Sequence, residues 1–199
     1  MKFVKEIHGK AKAERKIVDN AHVFAIDPST NSIAFSVMSG NKNNINLVAV
    51  GKIFFPRGSS TSDRARIINA TLPELLLKYN IETLVIEETI YIQNPQTTRL
   101  LAYTVGSLWG KAVDLDIRVL DVGPLRWKAF IGYKSVKKAE IAEWTQQMGE
   151  KEAKKKAAFE RKDRVRSIMF NKYPQVDEED YDIWDSIAIG WWAIHNCYN

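Results

Sequence analysis

Carboxylate side chains stand at the boundaries of apolar segments in three separate parts of the chain. Asp27 ends the apolar run HVFAI, Glu87 ends the run TLVI, and Asp182 and Asp185 lie at the start of the almost wholly apolar segment 183–194. Acids that converge beside buried segments repel one another unless cations neutralise them, and hard oxygen ligands suit Mg²⁺ or Mn²⁺. Two such ions about 3.5–4 Å apart can activate a water for phosphodiester hydrolysis. We therefore expect metal-assisted hydrolysis from these four residues.

The segments around the acids predict the elements that position them. HVFAIDPST, NSIAFSVMSG and INLVAVGKIFFP predict a meander of three strands, and ETLVIEE and DIRVLDVGP predict two more. Helical spacing of apolar residues predicts helices between and after the later strands, the last one beginning near Tyr181. The pattern indicates an α/β fold with a mixed five-stranded sheet and helices on both faces. Sites in such sheets form at strand ends, and residues at i and i+3 share a helix face.

Each acid taken singly also fits a structural role. Asp27 precedes Pro28 and suits a turn, and Asp182 suits a helix cap. Glu87 suits an ion pair with a surface lysine. The recurrence of acids at two strand ends and one helix start favours a shared site over three unrelated roles.

Composition narrows the class of protein. The chain has 199 residues, a net charge of +5 and a single cysteine, Cys197, so we expect one domain in a reducing setting without disulfides. The chain lacks a signal-peptide pattern and an apolar run long enough to span a bilayer, which predicts a cytoplasmic protein without a membrane partner. Residues 126–172 hold fourteen Lys or Arg against six acids, and residues 177–185 hold six acids and no base. This arrangement suits either phosphate binding around a metal or a solvated charged helix beside an acidic loop.

Three motifs resemble those of a known family. FAIDPSTNSIAFSV, LVIEETIYIQNPQ and DIWDSIAIGWWAIHNC resemble, in order and spacing, the acidic motifs of RuvC-type Holliday junction resolvases, which have the ribonuclease H-like fold. RWKAFIG followed by KSVKKAEI resembles the lysine-bearing segment of that family, and the resemblance covers about residues 22–140 and 180–197. It implies two Mg²⁺ ions, replaceable by Mn²⁺. The implied metal ligands and catalytic residues are Asp27, Glu87, Asp182 and Asp185.

The resemblance also implies a DNA surface and a dimer. The family carries a base-stacking aromatic near Ile90, and Tyr91 is the candidate for that role. The other predicted DNA-binding residues are Arg126, Lys128, Lys134, Lys137 and Lys138. Ala102, Gly106 and Gly110 form a smooth helical stripe, which fits either packing on the helix's own sheet or the homodimer interface that the resemblance favours.

The implied function is that of a metal-dependent, structure-selective endodeoxyribonuclease that resolves four-way DNA junctions in recombination and repair. Two alternatives remain open within the fold: a nuclease for flaps, Y-forks and three-way junctions, and a non-catalytic junction-binding protein. The related two-domain sugar kinases and actin-like ATPases need a longer chain and a second Gly-rich phosphate loop. We expect a flexible basic arm at 1–20 and a single nuclease domain at 21–199. A charged helical insertion at about 145–175 is typical of a divergent, phage-like member.

Overall fold

A computed structural model describes residues 2–6, 21–88 and 94–198. The strands in these ranges are β1 (Lys2–Glu6), β2 (Ala21–Pro28), β3 (Ser32–Asn41), β4 (Asn44–Phe54), β5 (Thr83–Glu87) and β6 (Arg118–Val122). The helices are α1 (Thr61–Lys78), α2 (Pro95–Asp114), α3 (Pro124–Phe130), α4 (Lys138–Met148), α5 (Glu150–Phe170) and α6 (Tyr181–Cys197). Within the described ranges, no helix combines the length and the apolar character needed to cross a bilayer.

The strands form one mixed sheet in the order β1-β4-β3-β2-β5-β6. β2, β3 and β4 make the predicted antiparallel meander, and β5 and β6 run parallel to β2. These five strands confirm the predicted α/β sheet. The expectation of a flexible arm at 1–20 is wrong for its first residues, because β1 pairs with β4 as a sixth strand at the edge of the sheet. The rest of that expectation, at 7–20, falls outside the described residues.

Apolar side chains alternate between the two faces of the sheet and build a core on each. On one face, Phe24 and Phe35 stack with ring centres 4.8 Å apart in the cluster that also includes residues of α1 and α2. On the other face, α6 contributes the fully buried Trp184 and Ile187 to a second cluster with residues of α3 and α5. The alternation of strand residues thus produces the predicted helical cover on both faces.

The last helix lies very close to the sheet. The Ser36 hydroxyl on β3 donates a 2.8 Å hydrogen bond to the Ser186 carbonyl, although both residues are fully buried. A Cβ atom added to Gly190 would lie 2.9 Å from the sulfur of Met38 and 3.3 Å from the Cβ of Ala25. Glycine at this position therefore lets α6 approach the strands more closely than a side chain would allow.

The charged segment predicted as a helical insertion at about 145–175 contains the end of α4 and the whole of α5. Gly149 joins the two helices with a positive φ of 82°, a conformation that glycine adopts without strain. α4 has no buried residue, whereas α5 buries Ala153 and Ala157 and then places Val165 and Met169 in the core. The second half of α5 is thus anchored in the domain, and its first half pairs with α4.

Candidate active site

Two parallel strands bring the first two acids together. Ile26 on β2 lies opposite Ile86 on β5, so the next residues, Asp27 and Glu87, are neighbours where both strands end. Asp27 belongs to the strand, in register with Ala34, and is only 9% exposed. It is therefore not the turn residue that its position before proline also allowed.

The first turn of α6 adds the second pair of acids. Asp180 caps this helix, because its carboxylate accepts a 3.0 Å hydrogen bond from the backbone N–H of Asp182. Asp180 therefore caps the helix, and Asp182 does not have the capping role that its position also allowed. Asp182 and Asp185 are close enough to Asp27 for their charges to affect its ionisation, so the structure brings the four predicted acids into one cluster.

Burial and mutual repulsion resist ionisation of this cluster. Burial raises the pKa of Asp27 well above its ordinary value. The negative charges of Glu87, Asp185 and Asp182 act in the same direction. Burial likewise raises the pKa of Asp185 to about 7, although the nearby ammonium group of Lys128 opposes the increase. The described side chains therefore leave this cluster short of positive charge.

A buried tryptophan orients Glu87. The indole N–H of Trp127 donates a 2.9 Å hydrogen bond to Oε1 of Glu87, and the ring itself is fully buried on α3. Its neighbour Lys128 lies with its ammonium nitrogen 4.8 Å from the centre of the same ring. Glu87 is thus held within the site rather than paired with a surface lysine. The sequence prediction named Lys128 but missed Trp127, which precedes it in RWKAFIG.

Asp182 is electrostatically different from its neighbours. Lys52 on β4 and Lys162 on α5 each place an ammonium nitrogen 2.9 Å from one of its two carboxylate oxygens. Burial of Asp182 opposes ionisation, but the hydrogen bonds from Lys162 and Lys52 outweigh it and lower the pKa of this carboxyl. Lys52 also lies 2.6 Å from Asp180. The charge of Asp182 is therefore already compensated.

Sequence reasoning missed both of these lysines. Lys52 lies in the inward row of an apolar strand, cross-strand from Ala34, and is only 7% exposed. An isolated lysine within VAVGKIFF is the signal that could have found it. Lys162 lies in the highly charged segment of α5, where many neighbouring residues are also lysine or arginine and no sequence signal distinguishes it.

The other predicted DNA-binding residues lie around the site with differing exposure. Lys138 is exposed at the start of α4. Lys137 is the N-terminal cap of the same helix, and the carbonyl of Lys134 accepts a 3.1 Å hydrogen bond from Arg164. The guanidinium of Arg126 lies 5.6 Å from the ring centre of Trp192 on α6. Tyr91 falls outside the described residues.

The donor set suits a hard divalent cation in chemistry and in charge. A cation near Asp27 and Asp185 would relieve the repulsion that raises their pKa values, and carboxylate oxygens are the ligands such ions prefer. Within residues 21–88 and 94–198, however, no three or more His, Cys, Asp or Glu side chains are positioned so that they could hold a metal ion together. The carboxylates fit a metal, but their side chains would have to turn towards it.

The small-residue stripe on α2 faces away from the sheet. Ala102, Gly106 and Gly110 are exposed, and a Cβ atom added to either glycine would meet nothing within 4 Å. The interpretation that these glycines pack on their own sheet is therefore wrong. The same helix also exposes the aromatic rings of Tyr103 and Trp109.

Comparison with known proteins agrees with this geometry. The family model for crossover junction endodeoxyribonuclease RuvC matches residues 23–159. The chain is 27% identical to that enzyme from Fusobacterium nucleatum over 125 residues and 33% identical to that from Ehrlichia ruminantium over 90 residues. These alignments span 62% and 44% of the chain, and 66% and 56% of the relatives' own lengths.

The fold also matches a solved structure. T. thermophilus RuvC in complex with a Holliday junction substrate superposes with a TM-score of 0.60 at 17% identity, covering 86% of this chain and 90% of that one. This likeness confirms the ribonuclease H-like fold predicted from the sequence. Because the family model matches more than half of the chain, the chain belongs to the RuvC family of crossover junction endodeoxyribonucleases, a family of metal-dependent enzymes.

Proposed function

We propose that this protein is a Mg²⁺-dependent, structure-selective endodeoxyribonuclease that resolves four-way DNA junctions by paired phosphodiester hydrolysis. The observation that carries the proposal is the cluster of the buried Asp27 with the half-buried Glu87 and Asp185, in which burial and repulsion raise the pKa values of both aspartates. Such a cluster costs folding stability and is useful when a cation binds there. Membership of the RuvC family supports DNA junctions as the substrate.

Asp27, Glu87 and Asp185 would hold the metal in this proposal, and Asp182 would join them when a lysine releases it. Two Mg²⁺ ions, or Mn²⁺ in their place, would supply a nucleophilic water and stabilise the leaving oxygen. Trp127 keeps the Glu87 carboxylate directed into the site through its 2.9 Å hydrogen bond.

The ammonium groups beside the acids would bind the phosphate that is cut. Lys128 lies close enough to Asp185 to lower the pKa of that carboxyl, against the larger effect of burial. Lys162 reaches Asp182 from the other side, with half of its side chain exposed. Lys162 would share the phosphate-binding role predicted for Lys138. Arg126, Lys134 and the other basic residues of this region would contact the flanking backbone.

We further propose that the protein acts as a homodimer through α2. A four-way junction has near two-fold symmetry and needs two cuts, which a two-fold enzyme delivers with one type of site. The exposed stripe of Ala102, Gly106 and Gly110 supports this interface, since small residues allow two backbones to approach closely. The exposed Tyr103, 53% accessible, would supply apolar area around the stripe.

The decisive experiment is a cleavage assay on synthetic four-way, three-way and linear duplex DNA, with Mg²⁺, Mn²⁺ or EDTA. Paired cuts in the four-way junction alone, lost in EDTA, would support the proposal. Equal cutting of three-way junctions and flaps would establish the broader branched-DNA nuclease. Junction binding without cleavage in either metal would establish a non-catalytic binding protein.

A matched pair of variants on one strand controls this assay. Glu87→Gln removes a charge from the proposed site, and Glu82→Gln removes the same charge from an exposed residue before the other end of β5. We expect cleavage to be abolished only in the first variant. Equal activity of both variants would exclude Glu87 from the site.

A further inference from the structure

α5 carries an exposed face of which the proposed chemistry uses only Lys162. Lys151, Lys155, Phe159 and Lys162 are spaced by four, four and three residues, so they lie on one side of the helix, and all four are exposed. Two other lysines of this stretch have partners off this face: Lys154 pairs with Glu150, and the ammonium of Lys156 lies 4.8 Å from the ring centre of Trp144 on α4.

This face ends at the acid cluster. The ring of Phe159 meets that of Tyr181 edge to face, with centres 5.9 Å apart and planes at 84°. Tyr181 is the first residue of α6 and precedes Asp182. Lys162, one turn beyond Phe159, contacts Asp182 at 2.9 Å. The aromatic pair therefore borders the proposed catalytic site on the α5 side.

The exposure of Phe159 needs an explanation. The ring is 54% exposed on a helix that is otherwise dominated by charged and alanine residues before Val165. An apolar ring presented to water beside a row of cations is the combination found where proteins bind nucleic acid strands, with cations on the phosphates and aromatics against the bases.

The ion pair of Lys155 on this face is weak enough to yield to phosphate. Lys155 has an ion pair with Glu152 at 2.8 Å, but both side chains are more than half exposed. Exposed pairs of this kind contribute only about 0–1 kcal/mol, so a phosphate can compete for the ammonium group.

We propose that α5 carries a track, the α5 track, formed by Lys151, Lys155, Phe159 and Lys162. It binds one DNA strand as the strand leaves the acid cluster, with Phe159 stacking on an unpaired base at the junction crossover, beside the cut phosphate. The proposal rests on the proposed function. At about 1.5 Å per residue the track is about 16 Å long, which matches about five phosphates of one duplex strand at 3.4 Å each. α5 would thus extend the DNA footprint along one junction arm.

The cations are tested by the salt dependence of binding to a synthetic four-way junction in EDTA. The Lys151→Ala/Lys155→Ala double variant should lower the log–log salt slope by about 1.8, or about 0.9 per lost phosphate contact. The matched control is Lys42→Ala/Arg66→Ala, which removes the same charge from the β3–β4 turn and from α1 on the opposite face of the sheet. A slope equal to that of the control would overturn the track.

The aromatic is tested in the same binding assay. Phe159→Ala should weaken junction binding about 5- to 150-fold, the factor that corresponds to about 1–3 kcal/mol for one stacked base. Phe159→Tyr should bind like the wild type. Phe159→Leu keeps most of the apolar volume, so it replaces the alanine variant if that protein does not fold. Binding of Phe159→Leu equal to that of the wild type would exclude stacking.

The outcomes separate this inference from the proposed function. If the Lys151→Ala/Lys155→Ala variant has a lowered salt slope but the wild type never cleaves DNA in Mg²⁺, the track is supported and the nuclease function is refuted. If the wild type cleaves junctions but the salt slope of the Lys151→Ala/Lys155→Ala variant equals that of the control, the track is refuted and the nuclease function stands.

Discussion

Replacing Lys52 by methionine tests whether a buried cation holds the first turn of α6 to the sheet. Methionine keeps the unbranched apolar stem of lysine and removes the ammonium group. That group lies 2.6 Å from Asp180 and 2.9 Å from Asp182, and the Lys52 side chain is only 9% exposed. The variant would leave the helix cap and one proposed metal ligand without their shared partner.

The expected loss of stability follows from the exposure of each group. Removing one partner of a fully buried ion pair costs about 3–5 kcal/mol. The Asp180 and Asp182 side chains are 39% and 22% exposed, so water replaces part of the interaction, and Asp182 also keeps Lys162. We therefore expect the free energy of unfolding to fall by about 2 kcal/mol, or Tm by about 4–8 °C for a chain of this length.

Thermal melts in EDTA measure this change without interference from bound metal. Lys154→Ala is the control, because its partner Glu150 and Lys154 itself are both more than 70% exposed, and such a pair contributes about 0.3–0.5 kcal/mol. The double variant Lys52→Met/Asp182→Asn should lose less than the sum of the two single changes. If Lys52→Met has the same Tm as the wild type, the ion pair does not hold α6 to the sheet and the expected loss of stability is wrong.

Three further predictions concern the site and the interface. Asp185→Asn should abolish cleavage, while junction binding stays equal or tightens because a negative charge beside the phosphate is removed. Gel-shift and cleavage assays measure the two effects, and full cleavage activity of the variant would contradict the assignment of Asp185 to the site. The pKa values of Asp27 and Asp185 are raised, the latter to about 7, so the folded state binds more protons than the unfolded state. The free energy of unfolding in EDTA should therefore decrease as pH rises from about 4 to 7. Asp185→Asn should flatten that decrease, which thermal melts at a series of pH values measure. Gly106→Arg should turn a dimer into a monomer that nicks a cruciform plasmid instead of linearising it; light scattering that still reports a dimer would place the interface elsewhere.

The acids could be predicted from the sequence because each follows or opens an apolar segment. Runs such as TLVIE predict both a buried strand and the place where it ends, so the position of Glu87 follows from local pattern alone. The parallel pairing of β2 and β5 then brings Asp27 beside it. Local pattern and the resemblance of the motifs to a family agreed at these positions.

The lysine partners could not be predicted because they depend on tertiary geometry. Lys162 meets Asp182 only because the second half of α5 packs against α6, and nothing in a run of charged residues indicates which one faces inward. Lys138 matches the family motif and is exposed at the start of α4, so its contact with DNA stays a prediction. β1 was missed for a related reason, since a polar edge strand forms only when a neighbouring strand is available to pair with it.

The close approach of α6 at Gly190 couples the acids to the interior of the protein. A helix is stiff over one or two turns, so a displacement at Gly190 reaches Asp185, five residues earlier, almost undiminished. An alanine there would press on Met38, whose flexible thioether can yield, so the chain could still fold with α6 raised by a few tenths of an ångström. Phosphoryl chemistry tolerates such misplacement poorly. Conservative substitutions in this interior layer, far from any residue that touches DNA, are therefore expected to give proteins that fold but lose activity.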